Sequence, residues 1–138
     1  MYRKYLEDKN NYLKSQEFYR KLLNKKQVIF ERTQPGAVKY DGEKVDGGLH
    51  INTWDDYIDK TQDLDNQIIV ASEIMKARKM ILDMSEQDLR NSSNVLDMVF
   101  VARYLDRKKV FQIPAIVNYS ERQVRRFLRI IREYKIKD

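Results

Sequence analysis

Two places in this chain combine residue types and spacing that could do chemistry. They are the carboxylate pair Asp55 and Asp59 and the arginine run from Ser120 to Arg132. Carboxylates one helical turn apart can hold Mg²⁺ for phosphodiester cleavage, and Asp56, Asp63 and Asp65 add to the same local charge. No Lys or His accompanies them in a nuclease pattern, and a solvated acidic helix face accounts for them at least as well. The chain has no cysteine and a single histidine, His50. Disulfides, iron–sulfur clusters and thiolate zinc sites are thereby excluded, and the residues for a Ser–His–Asp triad or a histidine zinc site are scarce. Gly47-Gly48 lacks the Gly-x4-Gly-Lys-Ser/Thr pattern of a phosphate loop. No nucleotide site is read there, and no metal or cofactor is implied.

The arginine run has more internal order. Ser120-Glu121-Arg122-Gln123 has the form of a capping box, in which Ser120 starts a helix and Gln123 reaches back to it. Val124, Phe127, Leu128 and Ile131 follow at helical spacing and would anchor that helix to a core. Arg122, Arg125, Arg126, Arg129 and Arg132 fall on its other faces. Just upstream, Ile113, Ile116 and Val117 would form the inner face of a short helix. Asn118 stands where the chain must turn with positive φ, which Asn tolerates better than most residues. Helix, turn, cap and basic second helix together predict a helix-turn-helix, whose second helix enters the major groove by its N-terminal part. The candidate base readers are Ser120, Glu121, Arg122, Gln123, Arg125 and Arg126, since Arg can bond guanine bidentately and Glu can accept from cytosine. Lys108, Lys109, Tyr119, Arg129 and Arg132 are the candidate phosphate contacts, which position without specifying.

The elements that must position these residues are helical. From Tyr2 to about Arg32 nothing breaks a helix, and Tyr5, Tyr12 and Tyr19 recur every seven residues beside Leu6, Leu13, Leu22 and Leu23. That stripe is read as packing rather than base stacking. Pro35-Gly36 ends the helix, and residues 33–53 form a Gly-rich connection. Within it, Val38-Lys39-Tyr40 and Glu43-Lys44-Val45 flank Asp41-Gly42 and suit a small β-hairpin. Thr53 resembles an N-cap, with Asp55 and Asp56 in the first turn, for a helix running to about Asp83. In it, Trp54, Thr61, Ile68, Met75 and Leu82 repeat every seven residues, with Ile58, Leu64 and Ala71 between them, a seam for another helix. The economical partner is the first helix folding back on it; a homodimer through the N-terminal helices satisfies the same pattern. Ser85-Glu86-Gln87-Asp88 reads as a new helix start, Ser92 or Ser93 as a further cap, and Val95 to Leu105 as a broad apolar surface. The expected fold is all-α, a long N-terminal helical hairpin over 1–84 followed by a helix-turn-helix module over 85–138.

The charge distribution agrees with a basic reading end. Of 138 residues, 35% are charged and the net charge is +6. Residues 1–40 carry 10 Lys and Arg against 4 Asp and Glu, residues 41–90 carry 6 against 12, and residues 103–138 carry 11 against 4. A basic C-terminal third is the footprint of phosphate neutralisation. No apolar run approaches the roughly 20 residues that span a bilayer, and the first residues lack a signal-peptide core, so a cytoplasmic protein is expected.

Val99 to Ile131, with Ala102-Arg103-Tyr104-Leu105, Ile113 through Val117, and Asn118-Tyr119-Ser120-Glu121-Arg122-Gln123-Val124-Arg125-Arg126, resembles the C-terminal promoter-reading domain of bacterial sigma factors. More closely, it is similar to the ArpU/RinA-type late transcription regulators of Gram-positive phages and prophages. The match covers about the last 40 residues. Pro114 departs from that pattern, standing where the family usually has Ala. Proline suits only a first helical turn, so the first helix of the motif should be short and begin at about Gln112. The resemblance implies a phage-encoded transcriptional regulator in the bacterial host cell, bound to double-stranded DNA and in contact with RNA polymerase. Three other readings fit the residues: a DNA-packaging or architectural protein, a Mg²⁺-dependent nuclease using Asp55 and Asp59, and a protein-interaction adaptor that uses the helical hairpin.

Overall fold

The computed structural model describes residues 1–33 and 54–137, and within them all side chains except those of 33, 54–57, 60 and 135–137. The described residues are all-α: one long N-terminal helix, a second long helix, and several shorter helices toward the C-terminus. They are α1 (Tyr2–Thr33), α2 (Trp54–Arg90), α3 (Val95–Phe100), a π-helical turn (Val101–Leu105), a 3-10 turn (Val110–Gln112), α4 (Ile113–Val117) and α5 (Glu121–Lys137). Residues 34–53, where the Asp41-Gly42 hairpin, His50 and the Thr53 cap were expected, lie outside the described residues. No helix among the described residues is long and apolar enough to cross a membrane.

Contacts divide the chain into two compact units, residues 12–78 and residues 1–11 with 79–138. In the first, Leu22 and Ile29 of α1 share one buried cluster with Leu64 and Ala71 of α2, and Tyr19 and Ile68 pack against it. Leu22, Tyr19, Leu64, Ala71 and Ile68 belong to the stripes read from the sequence; Ile29 joins them, whereas Leu13 and Leu23, expected in the α1 stripe, are exposed. Burial of the two apolar faces holds this unit together. Lys26 and Asp65 form an ion pair at 2.6 Å across the two helices.

The second unit is built around Phe100. Its ring stacks on Tyr2 at 5.5 Å, meets Tyr5 edge-on at 5.9 Å and lies 5.1 Å from Tyr104. Leu82 and Leu89 of α2, Val99 of α3, Ile113 and Val117 of α4, and Val124, Leu128 and Ile131 of α5 complete the core. The N-terminus of α1 is held here by a residue distant in sequence. Asp97 is 3% exposed; it accepts the Tyr2 N–H at 3.0 Å and the Ser92 hydroxyl at 2.6 Å. It also lies 3.5 Å from the Met1 ammonium. A first helical turn has unsatisfied N–H groups, and α3 supplies the acceptor for one of them.

Two local expectations are corrected. The helix expected to end near Asp83 continues unbroken to Arg90, and Ser85 does not start a new one. Its hydroxyl donates to Asp8 instead. No Gly or Pro interrupts 83–90, and Leu82, Ser85 and Leu89 are all buried on one helical face, so burial outweighs the capping pattern. The cap of α3 is Asn94, which accepts the Leu96 N–H at 2.9 Å. Ser92 accepts the Asn94 N–H at 3.2 Å and is otherwise occupied with Asp97.

Candidate nucleic-acid interface

The segment 106–123 is shaped by two left-handed residues. Val101–Leu105 widens into a π turn, with the Asp106 N–H donating to the Val101 carbonyl at 2.8 Å and the Lys108 N–H to the Ala102 carbonyl at 2.8 Å. Arg107 makes the reversal at φ 54°, a conformation uncommon for a residue with a long side chain. Arg103 holds the outgoing chain by donating from its guanidinium to the Lys108 carbonyl at 3.0 Å. Arg90 holds the other side, donating to Asp106 at 3.0 Å and to Glu86 at 3.3 Å. The hydrogen bond with Asp106 is the main reason its guanidinium titrates above its ordinary value.

The chain then enters the 3-10 turn. The Lys109 N–H donates to Gln112 Oε1 at 3.0 Å, and the Lys109 ammonium lies 6.0 Å from the Phe111 ring. Pro114 occupies the first turn of α4, where its missing N–H costs nothing. The short helix expected from Pro114 is therefore present. Ile113 and Val117, four residues apart, are buried, but Ile116 is 47% exposed and does not join them as expected. A five-residue helix has one buried edge, and position 116 is turned off it. Asn118 terminates α4 at φ 61° and ψ 38°, its N–H donating to the Pro114 carbonyl at 2.9 Å.

Ser120 and Gln123 form the expected reciprocal cap. Gln123 Oε1 accepts the Ser120 N–H at 3.1 Å, and Ser120 Oγ accepts the Gln123 N–H at 3.3 Å. The Val124 N–H closes the first helical turn on the Ser120 carbonyl at 2.9 Å. Val124, Leu128 and Ile131 of α5 are at most 1% exposed. Tyr119 crosses Phe127 edge-on at 5.2 Å, which fixes the ring just ahead of the helix.

On the opposite side of α5, Arg122, Arg125, Arg126, Arg129 and Arg132 are all exposed. At 3.6 residues per turn they share an arc of about 120°. Glu121, Arg122, Arg125, Arg126 and Arg129 line one shallow open depression. Within it Glu121 and Arg125 pair at 2.9 Å. Among the described residues Arg122, Arg126, Arg129 and Arg132 have no ion-pair partner. Lys108 and Lys109 are exposed at the start of the 3-10 turn.

The second candidate is thinner. Asp59 is exposed on α2, and the side chain of Asp55 lies outside the described residues. Among the described residues no group of three or more His, Cys, Asp or Glu could hold a metal ion. Sequence reasoning missed Arg103, Arg90 and the left-handed Arg107. The acidic partners Glu86 and Asp106, four before and sixteen after Arg90, signal only the nearer of its two pairings. Comparison with protein-family models, with curated proteins and with solved structures gives no match.

Proposed function

We propose that the chain is a sequence-specific double-stranded DNA-binding transcriptional regulator that reads the major groove with α5. The finer reading of the fold that goes with it is a long N-terminal helical hairpin, α1 against α2, and a helix-turn-helix made of α4, the Asn118 turn and α5. The observation that carries the reading is the two-faced character of α5. Its buried face is locked by Val124, Leu128 and Ile131, and its exposed face bears five arginines directly after a capped N-terminus. A helix so docked presents its first two turns outward, as base readout requires.

Arg122 and Arg126 are the principal readers in this proposal, since they lie one turn apart with no competing ion pair. Arg125 must exchange Glu121 for a base or phosphate, and Gln123 keeps only its amide donors, its Oε1 being held by Ser120. Ser120 and Glu121 stand at the entry to the groove. Arg132 lies about 15 Å along the axis from Arg122 at 1.5 Å per residue. That exceeds the roughly 12 Å width of the major groove, so Arg132 meets phosphates. Arg129, Lys108, Lys109 and Tyr119 are assigned the same positioning role. The resemblance of residues 99–131 to sigma-factor and ArpU/RinA-type domains supports a phage regulator that acts beside RNA polymerase.

Selection of bound sequences from a random duplex library tests the proposal. The wild-type chain should enrich one motif. Arg126→Ala should cost about 1–3 kcal/mol and blur that motif at one base pair. Arg132→Ala should weaken all sequences alike and reduce the salt slope by about one. Equal, sequence-blind losses from both substitutions would refute readout by α5.

A further inference from the structure

Helix α2 carries two apolar seams, and the fold uses only one. Thr61, Leu64, Ala71 and Leu82 are buried and Ile68 and Met75 half-buried, so the repeat recognised in the sequence is satisfied within the chain from Thr61 on; Ile58, expected in it, is exposed, and the Trp54 side chain lies outside the described residues. A second series, Val70, Ile74, Ala77, Ile81 and Met84, runs along the same helix at intervals of four, three, four and three residues. All five are exposed, Val70 at 57%, Ile74 at 44%, Ile81 at 48% and Met84 at 65%. Beside Val70 and Ile74, Phe18 of α1 is 54% exposed, and together with Asn66, Gln67 and Ala71 they line an apolar depression. Scattered exposed apolar residues are ordinary. Five at alternating heptad spacing are a helix-pairing seam.

We propose that this outer seam is a dimer interface, on which a second copy of the chain packs its own Val70–Met84 seam, parallel and in register. Two observations favour a second copy, and the second of them sets the orientation. Ile74 and Ile81 fall at the a positions, with Val70, Ala77 and Met84 at d, and β-branched residues at a belong to the two-stranded pattern. Glu73 precedes Ile74 at a g position and Arg78 follows Ala77 at e. In a parallel pair each Glu73 faces Arg78 of the second copy, so the two-fold axis generates two opposite-charge pairs; Glu73 would exchange for them its exposed pair with Lys76 at 3.7 Å, a weak one. On their own helix Glu73 and Arg78 stand about 140° apart and do not face each other. Two heptads are short beside the roughly 800 Å² per partner of a standard interface, so the association is reversible and concentration-dependent.

The inference is independent of the DNA reading: a chain that dimerises and ignores DNA sinks only that reading, and a DNA-binding monomer sinks only this one. The test uses the full chain. Sedimentation across a concentration series should show a monomer–dimer equilibrium. Because the chain has no cysteine, V70C and M84C each carry a single thiol. Each alone should form a disulfide-linked dimer in a glutathione redox buffer, since bridging needs Cβ atoms only about 4 Å apart. Glu73→Arg should weaken dimerisation about tenfold, and the exchange E73R/R78E should restore it. I74K/I81K, at exposed positions, should abolish the dimer while leaving the helical circular dichroism unchanged. A monomer at every concentration, crosslinking only in mixtures of V70C with M84C, or a dimer that survives I74K/I81K would each overturn the proposal.

Discussion

Replacing Asp97 by alanine removes an acceptor that α1 and the α2–α3 connection share. Its Oδ1 takes the Tyr2 N–H at 3.0 Å and its Oδ2 the Ser92 hydroxyl at 2.6 Å, in a site where the residue is 3% exposed. The Tyr2 bond does for α1 what an N-cap side chain does, a contribution of about 1 kcal/mol. The Ser92 bond is a hydroxyl to a charged acceptor and adds about 1.5–3 kcal/mol. The Met1 ammonium, 3.5 Å away, has its side chain 56% exposed and adds little after solvent screening. Alanine also returns the cost of burying a carboxylate, which brings the expected loss to about 2–3 kcal/mol. Asp97→Asn keeps an acceptor for Tyr2 and forfeits the charge, so it should lose about 1–2 kcal/mol. Urea unfolding followed by far-ultraviolet circular dichroism measures both, and amide exchange should quicken selectively in the first turn of α1. An Asp97→Ala chain within about 0.5 kcal/mol of wild type, with that turn still protected, would refute the idea that α3 caps α1.

Gln123→Ala should cost about 0.5–1 kcal/mol of stability by removing the acceptor of the Ser120 N–H, while the Gln123 N–H still donates to Ser120 Oγ. It should lower affinity for all DNA sequences together; a change of preferred base in the library selection would instead make Gln123 a reader. Burial in the Phe100 core raises the Tyr5 phenol above its ordinary value of 10.0, with the nearby Glu86 carboxylate acting in the same direction. A group whose proton is held more tightly in the folded state adds stability below the unfolded value and loses it as pH rises through the folded one. Unfolding followed above pH 10 should therefore show stability falling with pH, and less steeply in Tyr5→Phe.

What could be read from the sequence was whatever periodicity or a special backbone residue encodes. The inner seam of α2, the capping box of α5 and its buried Val124, Leu128 and Ile131 all follow from spacing. Asn118 was legible because asparagine tolerates positive φ, and Pro114 because proline belongs in a first turn. Arg107 was not, since its side chain carries no preference for φ 54°; the surrounding bonds from Arg103 and Lys108 impose it. The capping pattern at Ser85 misled for the complementary reason. A local signal competed with two buried leucines, Leu82 and Leu89, and lost. The role of Asp97 could not be inferred at all, because its partner Tyr2 is 95 residues away.

The placement of charge explains why the two proposed surfaces need not compete. Residues 41–90 carry 12 acidic against 6 basic side chains, and residues 103–138 carry 11 basic against 4 acidic. Within α2 the acidic excess lies at the start, where Asp55, Asp56, Asp59, Asp63 and Asp65 stand against Lys60 alone, so a polyanion is drawn to α5 rather than to that part of α2. The outer seam of α2 is an apolar strip flanked by charges of both signs, Glu73 and Asp83 against Lys76, Arg78 and Lys79, and it lacks the clustered arginines of α5. The arginine face of α5 is the reverse: among the described residues Arg122, Arg126, Arg129 and Arg132 are without an ion pair, and guanidiniums suit phosphates and guanine edges. Salt acts on the two to different degrees. Counterion release makes DNA affinity fall steeply with ionic strength, whereas burial of Ile74 and Ile81 is indifferent to it and only the Glu73–Arg78 pairs are screened. If both proposals hold, the α2 dimer persists at ionic strengths that release a duplex from α5.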